Sequence, residues 1–166
     1  MTKEEQELLD QIHHAFAGVI LEDGTSLNMT EYYDSGGSRP EYAERAKDDE
    51  RDDWTAIPDE TLEQFIVAFS FTDLKGFRFY IPAYMTWTVR NFRKSGSIIA
   101  DYTTYAIDPD HYLFEVVPFF KWFTQEQIAA MIEFLEFASR NEDVLDGEVA
   151  RQNLTKIKEA QQAVVD

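Results

Sequence analysis

The chain has 166 residues, 44% of them hydrophobic and 14% aromatic, a formal net charge of −17 and no cysteine. A single domain of that length buries roughly 68–70% of its unfolded surface, so folding needs neither a disulfide nor a metal. The lack of cysteine excludes a disulfide framework, a thiolate zinc site, an iron–sulfur cluster and cysteine-nucleophile chemistry, and the acidity disfavours contact with phosphate backbones.

Residues 3–20 place Leu8, Leu9, Ile12, Phe16, Val19 and Ile20 on one helical face, with Glu4, Glu5 and Glu7 in the first turns, where negative charge suits the helix dipole. This acidic start lacks the apolar core of a secretory signal, and the richest apolar runs, 64–71 and 112–123, are too short and interrupted to span a bilayer. A cytoplasmic protein without a membrane partner is expected.

The EDGTS stretch around Asp23-Gly24 reads as a turn. Ser26 is placed to cap a short helix ending at Asp34, with Glu31 and Asp34 on its polar side, and SGGSRP, 35–40, reads as a flexible link. Residues 40–53 are charge-rich, and the pattern predicts a short helix followed by an exposed acidic connection that Trp54 and Ile57 pin to the core. Pro58, Asp59 and Glu60 open a further helix that buries Leu62, Phe65, Ile66 and Phe69.

The segment 70–81 reads two ways: Phe77, Phe79 and Ile81 alternate with Arg78 and Tyr80 as in a strand, yet the same residues suit a helical turn. Pro82 suits the first turn of a helix running to about Lys94, apolar on most sides and therefore central, with KSGS, 94–97, as its stop. Residues 98–107 suit a strand or a short helix, and 112–117 a strand limited by Pro118. Thr124 and Gln127 resemble a capping box before a helix with Ile128, Met131, Ile132, Leu135 and Ala138 on one face. Gly147 interrupts, and a last helix carries Val149, Leu154, Ile157 and Ala160.

Five segments in order carry a resemblance: LEDGTSL at 21–27, ERAKDDERDDW at 44–54, IPDE at 57–60, KGFRFYIPAYM at 75–85 and FTQEQIAAMIEFL at 123–135. Together they resemble an uncharacterised family of small bacterial proteins, known only as a domain of unknown function, over residues 8 to 138. The resemblance implies a bacterial origin and one domain. It carries over no activity, ligand or catalytic residue.

The residues offer few chemical signatures. Asp101, Asp108, Asp110 and His111 are the best local metal-type cluster, but DPDH is ordinary turn chemistry. His13 and His14 are adjacent, so on a helix they point about 100° apart. DDERDD, 48–53, lacks the spacing of a calcium loop. No nucleophile elbow and no glycine-rich phosphate cradle is present. The strip 76–96 is distinctive: no acid lies between Asp73 and Asp101, while Lys75, Arg78, Arg90, Arg93 and Lys94 sit among aromatics. It suits an acidic peptide, a carboxylate ligand or a nucleic-acid base, or else neutralisation of the protein's own acids, with Arg78 answering the 41–53 region.

The expected fold is mainly α, a single compact domain, with a small β element as an option in 70–81 and 98–117, and α+β as the alternative. Residues 1–141 form the family-like domain, and 142–166 a helical extension packed on it. The leading functional expectation is a noncatalytic interaction protein of adaptor or immunity type, holding a basic partner through Asp48, Asp49, Glu50, Asp52 and Asp53. The alternative is a small-molecule binder or hydrolase with a pocket at Arg78, Tyr80, Tyr84, Trp87 and Arg90. No catalytic residue, cofactor, metal or nucleic acid is assigned, and the oligomeric state is left open.

Overall fold

A computed structural model describes residues 1–94, 96 and 98–165. The described residues are mainly helical. In chain order the α-helices are α1 (Lys3–Ala15), α2 (Leu27–Asp34), α3 (Pro40–Arg45), α4 (Asp59–Gln64), α5 (Leu74–Asn91), α6 (Ile99–Ala106), α7 (Phe119–Trp122), α8 (Gln125–Arg140) and α9 (Gly147–Val165). Short 3₁₀ turns cover Ala46–Asp48, Trp54–Ala56, Ala68–Ser70 and Tyr112–Glu115. None of the described helices is long and apolar enough to cross a membrane.

The chain divides into two packed units, one of Met1–Phe16 with Met85–Asp166 and one of Ala17–Tyr84. In the first, α8 packs against α1 and α9, and α6 against α9. The C-terminal helix therefore sits on the same unit as its neighbours rather than apart from them. Ile12, Phe16, Ile128, Met131, Phe134, Leu135 and Ile157 are fully buried there. Both α1 and α8 begin with capping boxes. Thr124 and Gln127 form the one read from the sequence, and Thr2 with Glu5 forms another. In the second unit, α2 packs on α3, and Leu21, Leu27, Trp54, Leu62, Phe65, Phe77, Phe79 and Ile81 are buried.

The optional β element does not form: among the described residues there is no strand. The 70–81 segment enters α5, 98–107 becomes α6, and 112–115 is a 3₁₀ turn. The alternation of Phe77, Phe79 and Ile81 misleads because Tyr80 is buried as well. A helix buried on nearly every side shows no polar face, so its periodicity is erased.

Pro82 is likewise not at a helix start but inside α5, which begins at Leu74. Proline removes the N–H that would bond the Arg78 carbonyl, at a cost of about 3 kcal/mol. Burial of Phe77, Phe79, Tyr80, Ile81, Tyr84 and Met85, at about 1.5–3 kcal/mol for each large side chain, exceeds that cost. The helix as described ends at Asn91; of the expected stop at 94–97, Ser95 and Ser97 lie outside the described residues.

Two helices are shorter than their patterns. α1 stops at Ala15, and Gly18 takes a left-handed φ of 73°, so Val19 and Ile20 leave the helical face and Ile20 is exposed. α4 stops at Gln64; Leu62, Phe65 and Phe69 are buried as their pattern predicts, whereas Ile66, expected on the same face, is only half-buried.

Candidate functional site

Three of the segments that carry the sequence resemblance meet inside the Ala17–Tyr84 unit. Asp73, just before α5, accepts the Gly76 N–H at 2.8 Å and the Thr25 N–H at 3.2 Å. The turn 21–24 closes with Gly24 N–H donating to the Leu21 carbonyl at 3.0 Å. A methyl group on Gly24 would lie 2.8 Å from Lys75 Cβ, and one on Gly76 would lie 2.0 Å from Thr72 Oγ1. These glycines let the turn and the helix start touch backbone to backbone.

The acidic segment is tied to the same place. Leu21 N–H donates to the Arg51 carbonyl at 2.8 Å, and the Arg51 guanidinium reaches back to the Gly24 carbonyl at 3.2 Å. Asp49 accepts the Asn28 backbone N–H at 2.9 Å and its side-chain amide at 2.6 Å. The Tyr80 hydroxyl accepts the Leu27 N–H at 3.2 Å. Thus the first amides of α2 are capped in trans by Tyr80 and Asp49. Ser26, at the N-cap position, makes no capping bond, and its buried hydroxyl has no partner among the described residues.

These contacts frame a cleft of about 490 Å³ within this unit. Tyr80 and Phe65 form its apolar floor with Ile57 and Pro58, while Glu31, Tyr42, Arg45, Asp48, Asp49 and Glu50 surround it. Four carboxylates therefore face one guanidinium. Glu31 and Asp48 carry no ion pair or hydrogen bond on their side chains among the described residues. Glu50 accepts the Asp52 and Asp53 amides at 2.8 and 3.0 Å, and these bonds hold its carboxyl below the usual range. The Arg39 and Arg45 guanidiniums lie over the Tyr42 ring, at 4.4 and 5.3 Å from its centre, the cation–π geometry that an aromatic ring offers a cation. Chemically, the arrangement can seat an ammonium or guanidinium group between carboxylates and an aromatic face.

The residues singled out from sequence divide sharply. Of the acidic set, Asp48, Asp49 and Glu50 line the cleft, with Asp49 committed to Asn28; Asp52 and Asp53 are exposed and do not line it, and Asp53 caps Thr55. Of the basic aromatic set, Tyr80, Tyr84 and Trp87 are each only 1% exposed. Tyr80 contributes to the cleft floor, and the Tyr84 hydroxyl donates to the Phe65 carbonyl at 2.6 Å. Burial pushes both phenols well above their ordinary range. Trp87 and Arg90 belong to the other unit, Trp87 in its interior and Arg90 exposed. Arg78 pairs with Glu22 at 3.5 Å, beside a Lys75–Glu22 bridge of 2.8 Å.

Tyr42, Arg45 and Glu31 were not singled out as a site. The signal for the first two was present: Arg39, Tyr42 and Arg45 are spaced three apart, which stacks them on one helical face. The metal-type cluster resolves differently. Asp108 and Asp110 both pair with Lys156, at 2.8 and 3.1 Å, and among the described residues no group of three or more His, Asp or Glu side chains converges as a ligand set.

A family model matches residues 4–160, that of the Family of unknown function (DUF6714). The match is longer than the 8–138 resemblance and takes in most of the segment after Asn141. Neither a curated protein nor a solved structure matches the chain.

Proposed function

Since the chain belongs to the Family of unknown function (DUF6714), a family described without an activity, we propose its function from the cleft itself: a noncatalytic interaction protein that holds a basic partner by a lysine or arginine side chain. The observation that carries this reading is the lining of Glu31, Asp48, Asp49 and Glu50 against the lone Arg45, with the Tyr42 face beside them. A carboxylate-lined concavity focuses negative potential, which raises association rate and discriminates against acidic partners. The net charge of −17 extends the same field over the molecule. An adaptor or immunity-type role in a bacterial cytoplasm fits these features.

The test is calorimetric titration of the full chain with a lysine- and arginine-rich peptide at low and at physiological salt. The reading expects saturable binding that weakens with salt and weakens further in Glu31→Gln and Asp48→Asn. Binding unchanged by salt and by both substitutions would falsify it.

A second reading, a small-molecule binder, draws on the volume of about 490 Å³ and the apolar floor of Ile57, Phe65 and Tyr80, which suit an organic cation. Arginine amide, used as a free ligand in the same titration, separates the two. Binding of arginine amide as tight as that of the peptide favours the small molecule.

A further inference from the structure

We propose that a second site, in the unit that contains Met1–Phe16 and Met85–Asp166, binds a small oxyanion at the exit of α5. A crevice of about 270 Å³ lies there, lined by Met1, Glu5, Val89, Arg90, Phe92, Arg93 and Lys94. Its charge is opposite to that of the chain. Three cations face one carboxylate, and that carboxylate is already occupied: Glu5 accepts the Thr2 N–H at 2.8 Å and the Arg93 guanidinium. Arg90 and Lys94 have no ion-pair partner among the described residues, and no acid lies near them in the chain between Asp73 and Asp101.

Arg93 is held for the task. Glu5, which is 3% exposed, fixes one end of its guanidinium, and the Phe92 ring lies 4.3 Å beneath it, while the side chain stays 54% exposed. A guanidinium so placed presents its remaining N–H groups in a fixed fork, the geometry that carboxylate and phosphate oxygens accept. Val89 and Phe92 are buried and give the crevice an apolar floor. The C-terminal end of α5 opposes an anion with about half an elementary charge, against the two full positive charges that Arg90 and Lys94 leave uncompensated.

The size and the surrounding charge decide the class. An acidic protein or a nucleic acid would meet the rest of a −17 surface and be repelled. A compact phosphate or dicarboxylate fits the crevice and stays within it.

The test is NMR titration of the full chain, with labelled arginine side chains, by inorganic phosphate and in parallel by malonate, at constant ionic strength. The proposal expects saturable shifts of the Arg90 and Arg93 Nε–H signals. It also expects at least a tenfold weaker midpoint in the Arg90→Gln, Lys94→Gln double variant, whose two exposed positions leave the helical circular dichroism unchanged. Saturation by phosphate alone assigns a phosphate ester, by malonate alone a carboxylate, and by both an oxyanion site of either kind; each supports the proposal. Shifts that fail to saturate with either anion, or a midpoint equal in the double variant and the wild type, overturn it.

Discussion

The Tyr80 hydroxyl accepts the Leu27 amide hydrogen at 3.2 Å across 53 residues of sequence, so the middle of α5 supplies the cap that the start of α2 lacks. Together with Asp49 on Asn28, this bond substitutes for the hydroxyl of Ser26, which stands at the N-cap position but does not turn back onto the helix. The Tyr80 ring then closes the floor of the acidic cleft, so one side chain both builds α2 and shapes the site.

Replacing Tyr80 by Phe keeps the ring and strands the Leu27 amide in a buried place. A buried donor left without an acceptor costs about 1–3 kcal/mol. Urea unfolding of Tyr80→Phe should show that loss as a lower midpoint with an unchanged slope. A midpoint equal to the wild type would show that the bond contributes nothing.

Gly76 is irreplaceable for steric reasons. Its added methyl would lie 2.0 Å from Thr72 Oγ1 and 2.6 Å from the Thr25 carbonyl, and backbone cannot yield as a flexible side chain does. Gly76→Ala should destabilise by about 1–3 kcal/mol or more, through overpacking. Gly96→Ala, where no atom of the described residues lies within 4 Å of the new methyl, should unfold within about 0.5 kcal/mol of the wild type. Thermal unfolding of the pair checks the contrast.

Glu5 makes part of the stability depend on acid. Burial works to raise its carboxyl, but the Thr2 amide and the Arg93 guanidinium outweigh burial and hold it below the ordinary value of 4.5. Because the folded value is depressed, the stabilisation is present in full above 4.5 and is lost as pH falls through the folded value. Glu5→Gln preserves a capping box with Thr2 and removes only the charge. Arg93 is half exposed, so the loss at neutral pH should be about 1 kcal/mol rather than that of a fully buried pair. Measured from pH 7 down to pH 3, the gap between wild type and Glu5→Gln should close; a gap constant over that range would count against the pair.

Asp48 and Asp49 are neighbours with different duties. Asp49→Asn removes the charged acceptor from the Asn28 amide and should lower stability by about 0.5–2 kcal/mol, the range for a lost helix cap. Asp48→Asn leaves no hydrogen bond broken and should keep the wild-type unfolding midpoint, while weakening a basic peptide severalfold. Both variants measured by urea unfolding and by calorimetric titration separate the two roles. Equal effects on stability would contradict them.

The legibility of the chain followed local chemistry. The box at Thr124 and Gln127 was readable because both partners lie within one turn; the same pattern at Thr2 and Glu5 was equally readable and pointed to the residue that holds Arg93. The strip 76–96 was less transparent. Its freedom from acids was visible, but Tyr80, Tyr84 and Trp87 are interior residues, with Tyr80 reaching the acidic cleft, while the charges at its C-terminal end line a surface crevice.

The sequence by itself determined the mainly helical class, the acidic character, the capped start of α8 and the buried stripe of α8, because each depends on residues within a few positions of one another. Only the tertiary structure decided that Pro82 lies within a helix, that Asp49 serves α2 while the Asp48 side chain has no partner among the described residues, and that Arg78 answers Glu22. Those outcomes depend on which distant groups approach within hydrogen-bonding range. In a chain with 32 acidic residues against 15 basic ones, pairing cannot be assigned by charge alone, because every cation has several equivalent partners until the backbone places one of them beside it.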